Sequence, residues 1–247
     1  MLFEVGDLAV FTGRFFRQAF HRRFEWGEFM RQSLINGYRS FPLVAITAFI
    51  MGIVLTVQSR PTLARFGAES MLPAMVAISA VREIAPVITA LICAGKIGSS
   101  MGAELGSMKV TEQIDAMEVS GTNPFRFLVV TRIWSTTLML PLLVVLADAI
   151  SIWACYVGVN IKGNVSWDLF YRQVIDSLEF SDLLPAFVNS IFLVLAIGIV
   201  GCYKGYSTEK GTAGVGQAAH SAVVVASLSI FVLDLSAVQI TDILGLN

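Results

Sequence analysis

Long apolar runs alternate with short polar connectors along most of this chain. Residues 40–59 carry no charge between Arg39 and Arg60. Residues 71–95 are apolar except at Arg82-Glu83, and residues 133–161 contain Asp148 as their single charge. Residues 183–203 are uninterrupted, and residues 214–238 hold Asp234 near their far end. A hydrocarbon core about 30 Å thick takes about 20 helical residues to cross. The pattern therefore predicts an all-α integral membrane protein with five transmembrane helices.

Ahead of the first run, Phe11, Phe15, Phe16, Phe20 and Phe24 are interspersed with Arg14, Arg17, Arg22 and Arg23. A secretory signal needs a continuous apolar core and a small-residue cleavage site, and this segment has neither. Glu4, Asp7, Glu25 and Glu28 make it too acidic for a transit peptide. The pattern suits an amphipathic helix lying in the headgroup plane. The predicted organisation is an N-terminal interfacial region, 1–39, followed by a five-span domain, 40–247. Placing the N-terminus inside puts twelve of the 17 Lys and Arg residues on cytoplasmic segments and four outside, with Arg82 within a span. That asymmetry predicts an N-inside, C-outside topology.

Composition agrees. Hydrophobic residues make up 55% and charged residues 14% of the 247 positions, against roughly 25% charged in ordinary soluble domains. A net charge of −1 gives no electrostatic footprint for nucleic acid. Cys93, Cys155 and Cys202 sit in or beside apolar runs and read as small packing residues. His21 and His220 are far apart, and no metal-ligand spacing occurs.

Residues 82–132 are the informative stretch. Arg82 and Glu83 lie in the middle of an apolar segment, where a charge costs at least about 2.5–3.5 kcal/mol. They either pair with each other, or with Asp148 or Asp234, to pack the bundle, or they line a substrate path. Gly95, Gly98, Gly102 and Gly106 supply small positions for close helix packing. Residues 108–119 read as a short amphipathic helix, with Gly121 placed to cap it and Pro124 to stop it. Such a helix is either a solvated connector or a dock for a soluble partner.

The chain carries no chemistry of its own. The phosphate-cradling GxxxxGK[ST] pattern is absent, since Gly95-Lys96 is followed by Ile97 and position 90 is alanine. No HExxH, CxxC or GxSxG occurs. The reading is a non-enzyme without its own cofactor, whose ATP and Mg would sit on another polypeptide.

The runs Arg82–Val87, Ala94–Ser99, Ala103–Met108 and Val110–Met117 closely resemble the signature of the MlaE-type permeases. These are the membrane subunits of ABC transporters that work with MCE proteins in lipid trafficking. Gly205–Thr208, Gly211–Gly216 and Ala222–Val224 resemble the family's later pattern. Gly211-Thr212 and Thr131-Arg132 depart from it, where many members have paired glycines and Pro-Arg. The resemblance implies a permease subunit that moves lipid, in the first instance phospholipid, through a bacterial inner membrane. It implies two copies of the chain around an apolar cavity, a separate ATPase dimer, an MCE hexamer on the opposite face and, in some systems, a small STAS-domain protein. It also implies that 108–119 is a coupling helix, with Met108, Glu112, Gln113, Asp115 and Glu118 toward the ATPase. Arg82, Glu83, Lys96 and Glu104 would lie at the cavity or dimer axis. Two other readings compete: an ion-coupled secondary transporter using Glu83, Asp148 and Asp234, and a non-transporting anchor of an MCE complex.

Overall fold

A computed structural model of the chain describes residues 2–19, 24–161, 163–209 and 211–243, without the side chains of residues 2, 3 and 180–182. Phe20, His21, Arg22 and Arg23, assigned above to the interfacial region, lie outside the described residues. Within them the chain is helical and has no strand. In order come α1 (Leu2–Ala19), α2 (Trp26–Tyr38), α3 (Phe41–Arg65), α4 (Leu72–Ser79), α5 (Ala85–Cys93) and α6 (Ser99–Val110). They are followed by α7 (Gln113–Val119), α8 (Thr131–Asn160), α9 (Trp167–Ser177), α10 (Phe180–Tyr206) and α11 (Thr212–Ile243). Wider π-helical turns occupy Ala80–Ile84, Ala94–Gly98 and Phe125–Val130.

Among the described residues five helical stretches are long and apolar enough to cross a membrane: Trp26–Arg65, Glu69–Val110, Phe125–Asn160, Leu183–Tyr206 and Thr212–Ile243. The number matches the sequence reading. The second stretch does not end near Gly95 as expected but runs on through α6. Its Gly- and Ser-rich end lacks the apolar side chains that mark a span, and it is helical because its small residues pack tightly.

The chain divides into two compact units. The first comprises residues 1–40, 90–140 and 191–233, the second 41–89, 141–190 and 234–247. In the first unit, α1 is seated by Phe11 and Phe15, one helical turn apart and both buried. The Phe11 ring meets Phe125 at 5.0 Å and Tyr203 at 5.5 Å, edge to face. Lys204 Nζ reaches Glu4 at 3.1 Å, and its hydrogen bond holds the Glu4 carboxyl below the usual carboxylate range. Asn36 Nδ2 donates to Ser135 Oγ at 3.0 Å, tying α2 to α8. A Cβ added to Gly205 would fall 2.7 Å from the Leu105 Cβ and 2.9 Å from the Met101 carbonyl. α6 and the end of α10 therefore touch backbone to backbone.

In the second unit, α3, α4 and α9 pack around Leu63, Leu72, Val76, Ala77, Cys155, Val159, Phe170 and Val174. α9 lies in the connector between the third and fourth apolar runs, where the sequence pattern predicted no element. Its N-cap is Ser166, whose Oγ accepts from the Leu169 N–H at 3.4 Å. Phe170 and Val174, one turn apart, form its buried stripe. Asp234, within the last span, accepts from Asn189 Nδ2 at 2.9 Å. A Cβ on Gly52 would meet the Ser151 carbonyl and lie 2.8 Å from the Ala154 Cβ.

Gly52→Ala and Gly205→Ala should each lower stability by about 1–3 kcal/mol through overpacking. Gly216→Ala, where a Cβ meets nothing within 4 Å, should be neutral or stabilising by about 0.5–1 kcal/mol from helix propensity. Thermal melting of the detergent-solubilised protein separates the two outcomes.

Candidate functional site

The informative stretch folds as a helix with two widened turns, a sharp break, a short helix and a return into the membrane. The first π turn carries Arg82, half-buried, and Glu83, exposed, in the second unit. The second carries Lys96, which donates from Nζ to the carbonyl of Arg39 at the end of α2 in the first unit. π turns inside α-helices often mark functional positions, and here both hold the charges singled out from sequence.

Glu104 on α6 is engaged within the first unit. Its carboxylate pairs with Arg132 at 2.7 Å. Arg132 is 1% exposed and is the largest of the fully buried side chains, with Nε and Nη1 buried without a hydrogen-bond partner. Glu28, bonded by Arg31 at 2.8 Å and Gln32 at 2.8 Å, lies within electrostatic reach of Arg132. One carboxylate thus pairs directly with a sequestered guanidinium, and Glu28 feels its charge. The sequence placed Arg132 at the end of a polar loop. Its one signal there was a charge at the head of an apolar run.

The small residues of α6 form a continuous contact. A Cβ on Gly102 would lie 3.0 Å from the Ala218 carbonyl on α11. One on Gly106 would lie 2.8 Å from Thr208 Oγ1, and one on Gly201 would lie 3.3 Å from Gly98. Gly95 differs from the expectation of close packing, since a Cβ there meets nothing within 4 Å. The widened turn at Ala94–Gly98 rotates it off the stripe.

The expected helix over 108–119 is two elements. α6 ends at Val110, so Met108 belongs to the second span and is half-buried. The β-branched pair Val110-Thr111 and the Thr111 Oγ1 bond to the Ser107 carbonyl, 2.8 Å, favour stopping there. Glu112 then takes φ +58, ψ +17, left-handed backbone that costs an L residue about 1–2 kcal/mol. α7 restarts with Ala116 N–H on the Glu112 carbonyl at 2.9 Å.

α7 has one buried side chain, Ile114, 1% exposed. Gln113, Asp115 and Glu118 face outward, and Val119 is 91% exposed. Lys109 on α6 bonds Asp115 at 2.9 Å, bridging the break. At the far end Gly121 takes φ +78, with its N–H on the Glu118 carbonyl at 3.0 Å and the Thr122 N–H on the Met117 carbonyl at 3.1 Å. That is a Schellman cap, followed by Pro124 and the return helix. α7 is a capped polar knuckle joined at both ends to spans, with an exposed apolar residue at its tip that the sequence reading missed.

The fold and this site define a class: a multi-pass helical membrane subunit that presents a short helix between two of its spans. A family profile described as Permease MlaE matches residues 29–240. A probable ABC transporter permease of Rickettsia typhi is 38% identical over 203 residues, covering 82% of this chain and 78% of that protein. The MlaE permease of a Haemophilus influenzae intermembrane phospholipid transport system is 35% identical over 207 residues, covering 83% and 79%. A probable ABC transporter permease of Synechocystis is 32% identical over 221 residues, covering 90% and 84%. The chain belongs to the MlaE permease family. As a permease subunit of an ABC transporter it is not itself an enzyme, and ATP hydrolysis belongs to a separate subunit.

Arg132 is enclosed but Glu104 is about half exposed, so losing the carboxylate leaves a buried guanidinium whose partner was already partly screened by solvent. Glu104→Gln should therefore destabilise the protein by about 1–2 kcal/mol. Glu104→Leu combined with Arg132→Met should recover at least about half of that loss. Melting of the two variants in one detergent is the comparison, and equal losses would remove the pair from its structural role.

Proposed function

We propose that this chain is the membrane-spanning subunit of a phospholipid transporter in a bacterial inner membrane, with an N-inside, C-outside topology. Two copies enclose a lipid-holding cavity, and an ATPase dimer docks against α7 from the cytoplasm. An MCE hexamer receives or delivers lipid on the other side, and a STAS-domain protein is a further partner of the ATPase. The observation that carries this reading is α7: a capped helix with one buried anchor, an acidic outer face and an exposed Val119. The Haemophilus relative's name adds the substrate class.

In this mechanism closure of the ATPase pushes on Gln113, Asp115, Glu118 and Val119. Ile114 and the Lys109–Asp115 bridge pass that push to α6, while the Schellman turn and Pro124 pass it to the return helix. Glu112, already held in a left-handed conformation, is the hinge between α6 and α7. The glycine stripe of α6 lets it move as one body with the helices packed on it. Arg82, Glu83, Lys96 and Glu104 are then the charges at the cavity and axis, where their electrostatics respond to that movement.

Purification in mild detergent with neighbouring gene products, followed by mass spectrometry of subunits and extracted lipid, tests the assembly. Recovery of an ATPase, an MCE protein and phospholipid is expected. Recovery of the chain alone would sink the proposal. Val119→Asp with Glu118→Lys should reduce lipid-dependent ATP hydrolysis about tenfold, equivalent to about 1.4 kcal/mol of coupling, while leaving the melting temperature unchanged. Undiminished hydrolysis would move the docking surface away from α7.

A further inference from the structure

A cleft of about 610 Å³ opens between α1 and the segment that begins the third span. It is lined by Arg14, Arg17, Gln18, Asn123 and Arg126, together with Val10 and Gly13, and among the described residues no carboxylate contributes to its wall. We propose that this cleft binds the phosphate of an anionic lipid headgroup, as a site on the membrane-surface side of the protein distinct from the transport cavity.

Several features build it. Phe11 and Phe15 fix α1 in place, so its Arg14, Arg17 and Gln18 are presented from one stripe at three- and four-residue spacing. The Arg14 guanidinium stacks over the Phe125 ring at 4.4 Å, which holds its planar head in position. Across the cleft the Arg126 N–H donates to Asn123 Oδ1 at 3.2 Å, fixing the turn that carries the Arg126 side chain. Arg126 Nη2 is buried without a hydrogen-bond partner, and so is Gln18 Oε1. A buried guanidinium N–H and a buried amide oxygen are a donor and an acceptor left waiting. A phosphate oxygen satisfies the first, and a headgroup hydroxyl satisfies the second.

Three guanidiniums give the cleft a charge that one phosphate only partly neutralises, and guanidinium suits bidentate contact with phosphate oxygens. The choice of a lipid over a soluble anion comes from the rest of α1. Val5 and Phe16, on one face of α1 away from the arginines, are 64% and 47% exposed. An amphipathic helix with such a face embeds at the headgroup boundary, and this brings lipid phosphates to the cleft at high local concentration. The bound headgroup would hold α1 to the bilayer and to the start of the third span at once.

The test uses the intact transporter, delipidated and then titrated with phosphatidylglycerol or phosphatidylcholine, with retained lipid counted by native mass spectrometry. Phosphatidylglycerol should bind about tenfold more tightly than phosphatidylcholine, and Arg17→Ala with Arg126→Gln should abolish that preference. Should the double variant fold poorly, Arg17→Ala alone changes an exposed side chain and should weaken phosphatidylglycerol about threefold, with Arg17→Lys restoring most of it. Unchanged retention in these variants overturns the site. Inorganic phosphate or glycerol phosphate binding as tightly as the lipid would make it a soluble-anion site and overturn the lipid assignment.

Discussion

Backbone-to-backbone approach of α6 with α10 and α11 is the constraint on which the first unit depends. Helices in lipid gain little from burying apolar side chains against each other, because acyl chains are equally apolar. What remains is close van der Waals contact, and small residues allow it. Gly98 and Gly201 meet, Gly205 sits against Leu105 and Met101, and Gly102 sits against the Ala218 carbonyl. On α11 the buried residues Ala218, Ala222, Ala226 and Ile230 recur every four positions. The rest of that helix stays largely exposed, with Leu228, Phe231, Val232 and Leu235 turned outward. The second unit uses the same device at Gly52 against Ser151 and at Gly158 against Thr56.

Three charges of the spans have a local partner. Arg132 is enclosed and met by Glu104, Asp234 is held by Asn189, and Lys96 caps the carbonyl end of α2. An ion-coupled carrier through Asp234 would need that acid to exchange ligands, and here it has an amide partner in its own unit. Membership of an ABC permease family instead places the energy source outside the chain. The polar break at Thr111-Glu112 and the knuckle of α7 form the exposed polar connection between the second and third spans.

The span count, the Gly121 cap and the α6 small-residue motif were legible in the sequence, because each depends on local pattern alone. Spans are set by length and hydropathy, and a left-handed C′ position selects glycine. The end of the second span was misplaced because helical glycine and serine look like loop until something packs on them. α9 was missed because its stripe of Phe170 and Val174 is short and sits in a polar connector.

By itself the sequence determined the membrane class, the family and the position of the short polar segment between the second and third spans. The tertiary structure alone decided which charges meet. Glu104 and Arg132 are 28 positions apart, Asn189 and Asp234 are 45 apart, and Lys96 finds a carbonyl 57 residues away. It also decided that Gly95 faces open space while Gly102 and Gly106 do not. The physical reason is that spacing along a chain fixes the face of a helix, whereas the partner on that face is chosen by packing.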